Sequence, residues 1–68
     1  MKYAVVIERG PASYGASVPD LPGCYAIGAT LDEVERLIEE AIIEHVAVLR
    51  QRGEPVPPPQ TQVKTVEI

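Results

Sequence analysis

Two side chains in this 68-residue chain could serve as a nucleophile and its base: Cys24 and His45, its one cysteine and its one histidine. That chemistry needs the pair within hydrogen-bond reach and a third group to orient the base. Nothing in the sequence brings Cys24 and His45 together, and no orienting group can be named. Cys24 follows a tight turn at a strand start, where a small, partly buried thiol is ordinary. His45 falls within an apolar helical stripe, where a packed or edge histidine is the usual occupant. With one residue of each type, a structural zinc site inside a single chain is excluded.

A second chemistry would be metal-dependent hydrolysis, which needs several carboxylates converging on a divalent ion. Glu33, Glu40 and Glu44 do line up on one helix face. That face is convex, and Glu33 and Glu40 stand about 10 Å apart along the axis. Such an array spreads charge and does not chelate. It reads as a solvated acidic face or as a docking stripe for a basic partner, so no metal, cofactor or enzymatic activity is expected.

The charge distribution agrees. The formal charge is −4, and six of the ten acids (Asp32, Glu33, Glu35, Glu39, Glu40, Glu44) fall in one stretch answered only by Arg36. Lys2, Arg9, Arg50, Arg52 and Lys64 are scattered and make no basic stripe, which argues against unassisted binding to nucleic acid.

These residues must be positioned by one small domain, 1–68. Without tryptophan or phenylalanine, its core is left to Val, Ile, Leu, Ala and Tyr. Chains of this size commonly gain stability from a partner or from self-association, and a homo-oligomer, dimer or tetramer, is expected. A single cysteine fits a reducing compartment. No apolar run approaches the roughly 20 residues of a membrane span, and the start lacks a signal-peptide pattern, so a cytoplasmic, soluble protein is expected.

Residues 2–8 are β-branched and apolar on both alternating faces, as a central strand would be. Tyr14, Ala16 and Val18 alternate in a second strand, and Cys24 to Ala29 supplies a short third with Tyr25 and Ile27 on one side. Thr30 with Glu33 forms a capping box for a helix of about 21 residues, which Gly53 stops. Its apolar stripe is Leu31, Val34, Leu37, Ile38, Ala41, Ile42, Val46 and Leu49. Pro55-Val56-Pro57-Pro58-Pro59 reads as a polyproline II return, and Gln62 to Ile68 alternates as a fourth strand. The expected fold is α+β, β-β-β-α-β, with one long helix on a four-stranded mixed sheet whose second face is uncovered.

The densest conformational signal is Val18-Pro19-Asp20-Leu21-Pro22-Gly23-Cys24. Pro22-Gly23 suits the central positions of a type II turn. Pro19 and Pro22 push Val18 and Leu21 toward extended backbone. Asp20 cannot bond two residues on, because Pro22 has no N–H; it must reach Gly23 or Cys24, or point outward.

That segment, with Gly28, Thr30-x-x-Glu33, the long helix and Gly53-x-x-Val56-Pro57-x-Pro59, resembles the HicB antitoxin family over nearly the entire chain. The resemblance implies a truncated ribonuclease-H-like β-β-β-α-β domain. It also implies a partner: HicA, a small basic mRNA interferase whose active-site face the antitoxin covers. Many family members carry a C-terminal DNA-binding module. The chain stops right after the expected fourth strand, so autoregulation through DNA is not expected of it.

Within that frame, Pro19, Asp20, Leu21, Pro22, Gly23, Glu33, Glu40 and Glu44 are the candidate partner-binding residues. Leu21 has two readings, a plug that folds back on the core or a rigid apolar anchor for a partner. Ile43 and Ala47, on the polar helix face, are either incidental exposure or an oligomer contact. A solitary self-associating domain without a toxin, and a vestigial metal-dependent nuclease, are the rival functions.

Overall fold

The ends of the helix fix its length. In the computed structural model, which describes Met1–Ile68, α1 spans Leu31–Gln51. Thr30 caps it from extended backbone, its hydroxyl accepting from the Glu33 N–H at 3.1 Å. Glu33 in turn accepts from the Ala29 N–H at 3.0 Å, one residue further back than in the usual capping box. At the other end Gly53 takes φ +68°. Its N–H donates to Arg50, and Glu54 N–H donates to Leu49. This is a Schellman closure, which needs a left-handed residue where glycine sits.

Three strands precede the helix: β1 (Val6–Arg9), β2 (Tyr14–Ser17) and β3 (Tyr25–Gly28). They form an antiparallel meander in the order β1-β2-β3. Ile7, Ala16 and Ala26 share one rung, and Val6, Ser17 and Tyr25 the next. Because side chains alternate across a sheet, Ala16 and Ala26 look toward α1. Val6, Glu8, Gly15, Ser17, Tyr25 and Ile27 line the opposite, open face.

Seven apolar residues form the core: Ala16, Val18, Leu21, Cys24, Val34, Ile38 and Val46. Gly28 lets β3 approach the first turn of α1. A Cβ there would lie 2.7 Å from the Val34 nitrogen and 3.0 Å from its Cα. Leu31, expected in the buried stripe, sits at the helix start beyond the sheet and is exposed.

The structure corrects three expectations. The first strand does not cover residues 2–8 but begins at Val6. Nor is it central: β1 is an edge strand, and α1 packs chiefly on β2 and β3. Val6 and Ile7 are consequently 42% and 38% exposed. The fourth strand expected over Gln62 to Ile68 does not form, so the sheet is three-stranded and wholly antiparallel rather than four-stranded and mixed. Residues 62–68 make no hydrogen bond to another backbone group of the chain, and all are exposed. Their alternation suits a strand, but only the segment just before them is tied to the rest of the chain. Tyr3 OH donates to the Pro57 carbonyl, and Asp20 holds Gln60 and Thr61.

Candidate functional site

The proline-rich segment between β2 and β3 is two consecutive β-turns that share Leu21. Leu21 N–H donates to Val18 O at 3.1 Å, and Cys24 N–H donates to Leu21 O at 3.0 Å. Pro19 and Pro22 occupy the second position of each turn, where their fixed φ is already suitable. Gly23 takes φ +83°, the positive value a type II turn requires at its third position. A Val18 N–H to Cys24 O bond of 3.2 Å closes the hairpin. Every third residue therefore turns inward. Val18, Leu21 and Cys24 are all core residues, while Pro19, Pro22 and Gly23 are exposed. Leu21 is 0% exposed. This decides between its two readings: the side chain plugs the core and is not offered to a partner.

Asp20 does not reach Gly23 or Cys24. Its carboxylate accepts from Gln60 N–H and Thr61 N–H at 3.0 Å each, and from the Thr61 hydroxyl at 2.9 Å. The Thr61 N–H has the largest influence in holding its pKa below the ordinary aspartate value. Partial desolvation opposes it, and the Thr61 hydroxyl and Gln60 N–H add to the lowering. An aspartate in the turn thus fastens the start of the C-terminal tail. The sequence carried a weak signal for this, since Gln60 and Thr61 are the first residues after Pro59 that can donate a backbone N–H.

The acidic stripe divides by role. Glu33 belongs to the helix cap. Glu40 pairs with Arg36 at 3.4 Å across one exposed helical turn. Glu44 lines a groove of about 370 Å³ between the Pro22-Gly23 turn and the C-terminal half of α1, together with Gly23, Tyr25, His45, Leu49 and Arg52. Cys24 and His45 both line this groove but share no hydrogen bond. Burial pushes the Cys24 thiol above its usual value, the opposite of what a nucleophilic thiolate needs. No three His, Cys, Asp or Glu side chains are grouped to hold a metal ion. The groove joins the charged Glu44 and Arg52 to the apolar Ala41, Val48 and Leu49.

A family described as "HicB_like antitoxin of bacterial toxin-antitoxin system" matches residues 3–67. The chain belongs to this family. It is 36% identical over 67 residues to a UPF0150 protein of Thermoplasma acidophilum, covering 97% of each. It is 37% identical over 68 residues to a UPF0150 protein of Archaeoglobus fulgidus, covering 96% of this chain and 99% of that one. An uncharacterized 14.9 kDa protein from the rep-hol intergenic region of Haemophilus phage HP1 is 39% identical over 57 residues. There the match takes 84% of this chain but only 43% of the phage protein. Among solved structures, a chain of the HicA3 and HicB3 toxin-antitoxin complex matches with a TM-score of 0.74 at 30% identity, over 87% of this chain and 70% of that one.

As a HicB-like domain the chain presents two further surfaces. The open sheet face is a shallow trough of about 420 Å³ floored by Gly15 and flanked by Val6, Tyr25 and Ile27. Tyr25 and Ile27 are 68% and 65% exposed; the sequence put them together, and the structure turns both away from the helix. The other surface joins Ile43 and Ala47 to Met1, Tyr3, Ile42 and Val46 in one apolar hollow beside the start of β1. What the sequence showed as two isolated apolar residues is part of a larger patch. No helix is long and apolar enough to cross a membrane.

Proposed function

We propose that this HicB-like chain is a non-catalytic antitoxin that neutralises a small basic HicA-type mRNA ribonuclease in the cytoplasm by covering its active-site face. The observation that supports this most is the likeness, over 87% of the chain, to a chain of the HicA3 and HicB3 complex. Charge agrees with it: the chain carries −4, and its acids crowd α1, which suits capture of a basic partner by complementary fields.

The contact surface we assign is the groove beside β3 and the rim around it. Pro22 and Gly23 supply a rigid exposed tip, and rigidity lowers the ordering cost of binding. Glu44 and Glu40 supply negative charge on the same side of the helix. Pro19, Asp20, Leu21 and Glu33 act behind that surface: Leu21 from the core, Pro19 by setting the first turn, Asp20 by holding the tail and Glu33 by capping α1. With no basic stripe, the chain does not bind nucleic acid directly in this reading. Self-association accompanies the function, since seven buried apolar residues make a small core for a free-standing domain.

The test is co-expression with the protein encoded next to it. Stoichiometric co-purification with a small basic protein, and loss of that protein's RNA cleavage on titration with this chain, are the expected results. Clean separation of the two at physiological salt counts against the proposal.

A further inference from the structure

The structure leaves a strand-like sequence unpaired and a sheet edge uncovered. Residues 62–68, Gln-Val-Lys-Thr-Val-Glu-Ile, have strand-forming composition. They bond to no other backbone group of the chain, and Val63, Val66 and Ile68 are each at least 72% exposed. At the other side of the sheet β1 has an unpaired edge, and α1 does not cover it. Unpaired backbone on an exposed edge is a template for another strand. Asp20 and Tyr3 hold the tail at Thr61 and Pro57, and the residues beyond Thr61 pair with no strand of their own chain.

We infer that residues 62–68 pair as a strand with the β1 edge of a second copy of this chain, each copy lending its tail to the other. The inference stands on the free chain and does not depend on the toxin reading.

Register and charge favour this occupant. In an antiparallel alignment with Val66 opposite Val6, Lys64 falls opposite Glu8 and Ile68 opposite Ala4. Val66 then continues the open-face row Val6, Ser17, Tyr25 and covers apolar surface that is exposed in one copy. Lys64 answers Glu8, and neither has an ion-pair partner within the chain. Opposite charges directly across a strand pair are favourable. The apolar hollow of Met1, Tyr3, Ile42, Ile43, Val46 and Ala47 flanks the start of the same β1. Arg50 also lines it, and in this register Glu67 is the tail residue on that side, opposite Val5. The β3 flank is different, with Glu44, His45 and Arg52 in its groove. Because every copy carries both tail and edge, mutual exchange closes on a two-fold axis and buries both surfaces at once.

The experiment uses the full chain alone. Sedimentation equilibrium is expected to give twice the chain mass. Thr65→Pro removes the N–H that faces Ile7 in this register, at an exposed position with no contact to lose in the single copy, and is expected to give the single-chain mass with unchanged helix content by circular dichroism. Mixing separately purified Val6→Cys and Val66→Cys chains under oxidation is expected to give a disulfide-linked pair, with Cys24 buried and silent. A wild-type chain that sediments as a monomer overturns the inference. So does a dimer unaffected by Thr65→Pro, which would place the interface elsewhere. A Val6→Cys, Val66→Cys double variant that closes its disulfide within one chain overturns it too, since the tail would then return to its own sheet.

Discussion

Asp20 and Thr61, 41 positions apart in the chain, are joined twice: the carboxylate accepts from both the backbone N–H and the hydroxyl of Thr61. A third bond from Gln60 N–H completes the set. The turn that carries Asp20 is itself fixed from inside by Leu21 and from outside by two prolines. The start of the tail is therefore held by a rigid part of the molecule.

Replacing Asp20 tests that contact. Asp20→Ala leaves the two amides and the Thr61 hydroxyl without an acceptor, while the core residues on either side stay in place. Faster amide exchange confined to Gln60, Thr61 and the residues after them is expected, together with faster proteolysis after Pro59. Exchange spread evenly over β2, β3 and α1 would mean that Asp20 supports the whole fold instead.

The same contact gives a pH dependence whose sign is fixed. The folded-state pKa of Asp20 is lowered, chiefly by the Thr61 N–H, so the tail is held when the carboxylate is charged. The stabilisation is complete above the unfolded value of about 3.9 and is lost as pH falls through the lower, folded value. Amide chemical shifts of Gln60 and Thr61 should follow this titration, with a midpoint below the usual aspartate range. Asp20→Asn should abolish it.

How much of this was legible in the sequence depends on which residue is asked. Thr30, Glu33 and Gly53 announced the helix and both its ends, because caps act over three or four residues and leave local signatures. Pro22-Gly23 announced its turn for the same reason. The inward face of that turn was less visible. Val18, Leu21 and Cys24 are spaced by three in a segment too short to show a period, and only the two shared turns explain why all three point inward. The tail deceived in a different way. Its alternation reads as a strand and the chain forms none there, because pairing is a long-range property; even the contact that holds the start of the tail, Asp20 to Thr61, spans 41 positions. Residues 2–8 looked central because both faces are apolar. The exposure of Val6 and Ile7 in the single copy is the feature that points outside the chain.

Gly28 should not tolerate a side chain. A Cβ there meets the Val34 backbone at 2.7 Å, and a helix backbone held by its cap cannot step aside cheaply. Gly28→Ala is expected to destabilise the chain by about 1–3 kcal/mol in urea unfolding. Gly15 is the matched control, since an added Cβ there meets nothing within 4 Å. Gly15→Ala should be neutral or stabilising by up to about 1 kcal/mol, through a less flexible unfolded chain. Equal effects at the two glycines would show that the close approach of β3 to α1 does not matter.

Leu21 separates core from surface within one turn. It is fully buried, and Leu21→Ala is expected to cost about 2–5 kcal/mol, a large fraction of the stability of so small a domain. Pro22, its exposed neighbour, should cost about 0.4–1 kcal/mol on replacement by alanine, through the unfolded state. In the folded wild type, Cys24 should react slowly with a thiol reagent at neutral pH, because burial raises its pKa. Leu21→Ala should speed that reaction by loosening the turn above the thiol. Fast labelling of the wild type would contradict the buried placement of all three residues.

Charge on the groove side of α1 should govern capture of the toxin and leave the fold alone. Glu44 is exposed at the groove rim; Glu40 is exposed and bonded only to Arg36, a pair of small energetic value at a surface. Glu40→Lys and Glu44→Lys are therefore expected to leave the urea midpoint almost unchanged. Both should slow association with a basic HicA-type partner, on the order of a few-fold at low salt, with the difference from wild type shrinking as salt screens the field. Glu8→Lys, on the β1 side of the sheet, should leave that association rate as it is and weaken self-association instead. If reversal at Glu8 slowed toxin capture while Glu40 and Glu44 did not, the contact surface would lie on the β1 side and the assignment of the two flanks would be exchanged.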